Sequence, residues 1–199
     1  MDSIHKLTEY FGEFPGIGPR QARRFVYFLL TRNTAYLEDV ARLILDIKKS
    51  IHVCSSCYRF FPGGGTLCPV CNDKSRDQSQ LMIVSRDVDF EAVEKSRVYH
   101  GYYFVLGGTI PILEKEPEKK VRLKELKEKL KKTEVKEIIL SLNATAEGEH
   151  TVDFIRSFIK ENFPTSNFKV SVLGRGLSTG TELEYADGET IKSALENRA

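Results

Sequence analysis

Four cysteines, Cys54, Cys57, Cys68 and Cys71, stand in one short window as two Cys-x-x-Cys turns with ten residues between them. Each turn delivers two thiolates to one point, and two turns complete a tetrahedral shell around a single ion. The spacing predicts one structural Zn²⁺ per chain, held by all four sulfurs. A shell closed by protein sulfur keeps no position open for substrate. It supplies binding energy to a segment that includes Gly63-Gly64-Gly65 and has too few apolar residues to fold alone. The competing readings are an iron–sulfur cluster, free thiols or a redox dithiol. His52 lies close by, but four sulfurs already fill the shell. Crowded thiols suit a reducing compartment, and the expected location is the cytoplasm. Met1-Asp2-Ser3-Ile4-His5-Lys6 offers no apolar signal-peptide core, and the apolar stretch Phe25 to Leu30 is far short of the ~20 residues that span a bilayer.

The 199 residues are 41% apolar and 29% charged, which excludes collagen-like, mucin-like and wholly disordered classes. Lys and Arg total 30 against 28 Asp and Glu, a net charge of +2. Bulk charge therefore does not hold this chain on a nucleic acid, and any such binding comes from local patches.

Before the cysteines the chain reads as helices. Ile4, Leu7, Phe11 and Phe14 follow a three-to-four spacing behind Ser3 as a cap. Pro15-Gly16-Ile17-Gly18-Pro19 breaks that pattern, and Pro19 suits the first turn of a second helix. That helix turns Ala22, Phe25, Val26, Leu29 and Leu30 inward and Arg20, Arg23 and Arg24 to solvent. A third helix follows Thr34, with Leu37, Val40, Ala41, Ile44 and Leu45 inward. Phe14 to Arg23 has the form of a helix-hairpin-helix. Gly16 and Gly18 permit a sharp turn and leave backbone N–H groups bare at the next helix N-terminus, where a phosphate oxygen binds. Arg20, Arg23 and Arg24 add charge-assisted contacts, so these five residues are the candidate DNA-binding set, gripping backbone and ignoring base identity. The bland alternative is an interhelical turn with solvated arginines. No strand precedes the glycines and no Gly-Lys-Ser/Thr follows, so neither a dinucleotide fingerprint nor a Walker A loop is present.

After the cysteines the pattern alternates. Leu81 to Val84, Tyr102 to Leu106, Glu137 to Leu142 and Phe168 to Leu173 read as strands. Helical patterns lie between them, around Phe90 and Val93 and from about Thr151 to Asn162. Glu114 to Lys132 alternates in charge and carries Val121, Leu123, Leu126 and Leu130, so it reads as a solvated amphipathic crossover helix. The whole predicts a small parallel α/β sheet. Asp87, Asp89, Glu91 and Glu94 follow the first strand, and Asn143-Ala144-Thr145-Ala146-Glu147-Gly148-Glu149 follows the third. Sites in open parallel sheets gather at the carboxyl ends of strands, so these acids could hold Mg²⁺ for phosphoryl transfer. As helix N-terminal acids complementing the dipole they are explained equally well.

Taken in order, these features resemble the RecR family of bacterial recombination mediators over nearly the whole chain. The resemblance rests on Phe14-Pro15-Gly16-Ile17-Gly18-Pro19, the four cysteines, Asp87-Val88-Asp89 with Glu94, and Gly101-Tyr102-Tyr103-Phe104-Val105-Leu106-Gly107-Gly108. Asn143 to Glu149, Gly174-Arg175-Gly176-Leu177 with Gly180, and Leu183-Glu184-Tyr185-Ala186-Asp187 complete it. It implies an α/β protein with an N-terminal helix-hairpin-helix domain (residues 1–53), a four-Cys zinc finger (54–75), a Rossmann-like Toprim parallel sheet (76–173) and a Gly-rich, Walker-B-like C-terminal tail (174–199). It further implies a non-enzymatic DNA-binding mediator that forms a tetrameric ring, acts with RecO and in many bacteria RecF, and loads RecA on single strands coated by single-strand binding protein.

The chain departs from the family pattern at several places. A catalytic Toprim enzyme needs Glu where Ser85 stands and Asp-x-Asp where Asn143-Ala144-Thr145 stands, and RecR proteins usually keep the first Glu. Ala144 and Ser178 replace common prolines, Gly188 replaces a usual acid, and the crossover lacks the usual glycines. Asp89 and Glu147 remain as a surface for RecO or a weak Mg²⁺ site, while Glu182, Glu184 and Asp187 could hold a cation but, with no phosphate loop beside them, read rather as a structural tail. The rival reading is a Mg²⁺-dependent Toprim nuclease or primase-like enzyme using Asp87, Asp89, Glu147 and Glu149. A third is a zinc-stapled scaffold whose partners are only proteins.

Overall fold

The computed structural model describes residues 2–174, 176–177, 179–180 and 182–196. Met1, Arg175 and Ser178, named above, lie outside the described residues. The chain divides into two compact units, Met1–His52 and Val53–Ala199.

The first unit contains α1 (Ser3–Gly12), α2 (Pro19–Leu30) and α3 (Thr34–Ser50). The cap of α1 is Asp2 rather than Ser3: its carboxylate accepts from the His5 N–H at 2.8 Å. Asn33 caps α3 by accepting from Tyr36 N–H at 2.9 Å. The two helices of the hairpin meet through Phe11, whose ring stands edge-on to Phe25 at 5.9 Å and near Phe14 at 5.8 Å. Ala22 and Val26 are buried as the periodicity requires. Leu30, Ala41, Ile44 and Leu45, expected inward, are exposed, Leu45 by 69%. An amphipathic stripe records that a helix face needs cover, not that its own chain supplies it. Three short helices have one narrow core, and α3 buries none of its residues fully.

The second unit is built on four parallel strands in the order β4-β3-β5-β6. After the short β1 (Ile51–Val53), β2 (Phe60–Pro62) and α4 (Pro69–Asn72), the sheet is made by β3 (Asp77–Val84), β4 (Gly101–Val105), β5 (Glu137–Ser141) and β6 (Lys169–Val172). Helices α5 (Asp87–Ser96), α6 (Leu123–Lys131) and α7 (Ala146–Asn162) connect them, and α8 (Gly188–Glu196) follows. Leu81 stands opposite Tyr102 and Ile138, and Ile83 opposite Phe104 and Leu140, so β3 is the central spine.

Period-two alternation sorts β3 between two cores. Leu81 and Ile83 join Leu123, Leu126 and Leu130 of α6 and Val152, Ile155 and Ile159 of α7. Met82 and Val84 face the other way, onto Phe90 of α5 and onto Cys54, Cys57, Cys68, Phe61 and Val70. The cysteine segment therefore covers one face of the sheet together with α5. The charged crossover is helical only from Leu123. Pro117 starts a separate 3-10 turn, Pro117–Lys119, because proline cannot donate into a continuing helix. No helix among the described residues is long and apolar enough to cross a membrane.

Candidate nucleic-acid interface and metal centre

The glycine elbow is formed by two residues with different backbone demands. Ile17 N–H donates to the Phe14 carbonyl at 3.0 Å, and the chain turns through Gly16 at φ +79°, the left-handed region that favours glycine. Gly18 is extended, at φ −83° and ψ 166°, and caps α2 with no side-chain hydrogen bond. Pro19 at the first position of α2 lacks an N–H, and no acid occupies the first turn. The positive end of the helix dipole is thus uncompensated, with backbone donors aimed outward. A Cβ placed on either glycine meets nothing within 4 Å, so an anion has open access.

Arg20, Arg23 and Arg24 are exposed. Arg20 and Arg24, four residues apart, share a helix edge, and Arg24 Nη1 donates to Gln21 Oε1 at 3.3 Å. Arg23 borders a groove between α1 and α2 whose rim also carries Asp2 and Glu9. The three arginines are therefore not equivalent: two share a helix edge and the third borders the groove that Asp2 and Glu9 also line. The arrangement can hold a phosphate by backbone N–H groups and guanidinium together.

In the second unit all four cysteine sulfurs lie within 4.8 Å of one another. Cys57 Sγ and Cys68 Sγ are 3.7 Å apart. Sulfurs ~2.3 Å from one zinc ion in a tetrahedron stand about 3.8 Å apart, so the four residues fit such an ion. Cys54, Cys57 and Cys68 are buried and Cys71 is partly open. The Cys68 N–H donates to Cys54 Sγ at 3.3 Å, and Tyr58 N–H donates to the Cys54 carbonyl at 2.9 Å, which orients the first turn. The neighbouring thiol of Cys57, with those of Cys68 and Cys71, holds the Cys54 sulfur below the ordinary thiol range. Proximity to Cys54, with burial, pushes Cys57 and Cys71 above it. Four sulfurs this close together cannot all lose their protons unaided; a bound cation supplies the missing charge. The cluster can therefore bind one metal ion.

The acids at the strand ends have other partners. Asp87 Oδ1 accepts from the Phe60 N–H at 2.7 Å and ties the cysteine segment to the start of α5. Asp89 Oδ2 accepts from the Arg86 N–H at 2.9 Å, closing a capping box on its own helix. Glu94 takes the Arg76 guanidinium and the Tyr103 hydroxyl, the latter at 2.8 Å. Glu147 Oε2 accepts from Thr109 Oγ1 at 3.2 Å. Asp187 caps α8 by accepting from Thr190 N–H at 2.9 Å. Among the described residues, the four cysteines are the one group of three or more potential ligands that converges. Ser85, where a Toprim enzyme would place Glu, is 1% exposed and its hydroxyl has no hydrogen-bond partner.

Sequence reading missed Thr151. It is fully buried, accepts from the Ile110 N–H at 2.9 Å and donates to the Glu147 carbonyl at 2.6 Å, bracketing the loop after β4 to α7. A threonine one turn into a helix carries no signal of a partner 41 residues away.

Comparison with known proteins gives matches along the chain. The family descriptions "RecR, helix-hairpin-helix", "Toprim domain" and "RecR, C-terminal" match residues 4–48, 79–174 and 176–199. The chain is 36% identical over 199 residues to "Recombination protein RecR" of Limosilactobacillus reuteri (strain DSM 20016), covering 99% of this chain and 96% of that one. It is 35% identical over 196 residues to the protein of that name from Dehalococcoides mccartyi, covering 98% and 93%. With that of Chloroflexus aggregans it shares 36% over 195 residues, covering 98% and 92%. An open glycine elbow, a four-sulfur centre packed under a parallel sheet, and full-length similarity of this degree place the chain in the RecR family of recombination proteins.

Proposed function

We propose that this protein is a non-enzymatic DNA-binding recombination mediator that acts in recombinational DNA repair with RecO, and with RecF where it takes part, to load RecA on single strands coated by single-strand binding protein. The observation that carries the DNA-binding part is the uncapped start of α2, open over Gly16 and Gly18 and flanked by Arg20, Arg23 and Arg24. Such a site binds phosphate without reading bases. One elbow makes few contacts; a tetrameric ring multiplies them, and the exposed apolar face of α3, with Ile44 and Ile47 open, favours self-association. We assign Zn²⁺ to Cys54, Cys57, Cys68 and Cys71. The reduced thiols of such a site suit the cytoplasm.

The domains we assign run over residues 1–53, 54–75, 76–173 and 174–199. Asp89 and Glu147, engaged in the protein's own hydrogen bonds, are assigned to a surface for RecO rather than to Mg²⁺. Replacing Arg23 and Arg24 with Ala should weaken DNA binding by a similar factor on unrelated sequences in a fluorescence-anisotropy titration. Unchanged affinity contradicts the assignment. Mg²⁺-dependent cleavage of labelled DNA, abolished by Asp89→Ala, contradicts the non-enzymatic reading.

A further inference from the structure

Phe28, Arg32 and Tyr36 cluster at the turn between α2 and α3, at the other end of α2 from the elbow. The Phe28 and Tyr36 rings meet edge to face, with centroids 6.4 Å apart and planes at 80°. The Arg32 guanidinium lies 4.0 Å over the Phe28 ring and 5.8 Å from that of Tyr36. Phe28 is 44% exposed and Tyr36 43%, so neither ring serves chiefly to fill a core. Among the described residues no carboxylate pairs with Arg32.

Two half-exposed rings, one of them backed on a face by a guanidinium that has no carboxylate partner among the described residues, suit a ligand that is flat, apolar on its faces and anionic at its edge. A nucleotide is such a ligand, since every base has a face to stack and each link carries a phosphate. The position along α2 supports the same occupant. Arg20, Arg24 and Phe28 follow one another at four-residue steps along the exposed edge. Eight residues of helix put Phe28 about 12 Å from Arg20 along the axis. That distance is a few nucleotides of a single strand, which extends by at least the duplex rise of ~3.4 Å at each step. A strand held by its phosphate at the elbow reaches the rings without leaving the helix edge.

The geometry points to a base-stacking platform: Phe28, Arg32 and Tyr36 receive an unpaired base of a single-stranded nucleic acid whose phosphate sits at the elbow. Paired bases hide their faces in the stack, so the platform selects single strands over duplex. This rests on the reading of the elbow as a phosphate site.

The test is an anisotropy titration of the full chain with a single-stranded oligothymidine and with an abasic phosphodiester strand of the same length, alongside light scattering. The wild type should bind oligothymidine more tightly than the abasic strand. Phe28→Leu and Tyr36→Leu should each lower oligothymidine affinity on the order of tenfold, leaving abasic affinity and particle mass unchanged. Tyr36→Phe, which keeps the ring, should preserve binding. Equal wild-type affinity for the two strands overturns the platform and leaves the elbow standing; equal losses on both strands in the Leu variants do the same. A change of mass in the Leu variants overturns it too, by showing that a second copy covers the rings. Binding of neither strand by the wild type overturns the elbow reading as well.

Discussion

Gly16 and Gly18 sit two residues apart and are needed for different reasons. Gly16 holds φ +79°, where an L-residue is strained. Gly16→Ala should therefore lower stability by about 1 kcal/mol in thermal denaturation. Gly18 is in ordinary extended conformation with nothing near its Cβ position. Gly18→Ala should cost about 0.5 kcal/mol, because Ala is a poorer N-cap than Gly, and place a methyl group before the first-turn donors, weakening DNA binding. A Gly18→Ala chain that loses more stability than Gly16→Ala and keeps affinity contradicts this division. A second residue-scale test concerns Arg76, whose side chain is 12% exposed against Glu94. Glu94→Ala leaves that guanidinium only the Asp73 carboxylate, at 3.9 Å, and should cost about 2 kcal/mol in urea unfolding. Burial, and then the Glu94 carboxylate, push the Tyr103 phenol above its ordinary range; burial does the same for Tyr99. A phenol with a raised folded-state pKa keeps its proton longer in the native chain than in the unfolded one. Its contribution is complete below about pH 10 and is lost as pH rises further. Stability should fall along that alkaline limb, and Tyr99→Phe should flatten it.

At the scale of elements, the cysteine segment and the sheet form one cooperative structure. Cys54, Cys57 and Cys68 share a core with Met82, Val84 and Tyr103, and Val105 N–H donates to the Cys57 carbonyl at 2.8 Å. Chelating the metal should lower the unfolding midpoint of the sheet together with the finger, as followed by circular dichroism. A sheet that melts unchanged after complete metal removal contradicts this coupling. Asp87→Ala removes the acceptor of Phe60 N–H and should cost about 1 kcal/mol, with faster limited proteolysis between residues 54 and 75. The cysteines and the glycine elbow were legible in the sequence because their chemistry is local: residue type and spacing carry it. The β-rich run Leu81 to Val84 likewise announced a strand. Which face would meet the finger was not legible, because that depends on the partner's placement. The acids were ambiguous for the same reason. Asp87 and Glu147 find partners 27 and 38 residues away, and no local pattern separates such anchors from metal ligands.

On the whole-molecule scale, the exposed side chains of α3 are the clearest departure from sequence expectation. Ile44 and Leu45, expected inward, are 64% and 69% exposed along a helix whose periodicity demands cover. The proposed tetramer provides it, and light scattering should then return four times the 22.6 kDa chain mass. Ile44→Glu should reduce that mass, and an unchanged mass places the contact elsewhere. Assembly also decides how DNA binding responds to salt, since each phosphate neutralised on duplex adds ~0.9 to the slope of log affinity against log salt. The most direct measurement is this slope for the wild type and for the chain with Arg23 and Arg24 changed to Ala. The account predicts a steep slope in the wild type, visibly flattened in the variant, with the same change on unrelated sequences. Superimposable slopes, or a wild type indifferent to DNA at low ionic strength, would contradict it.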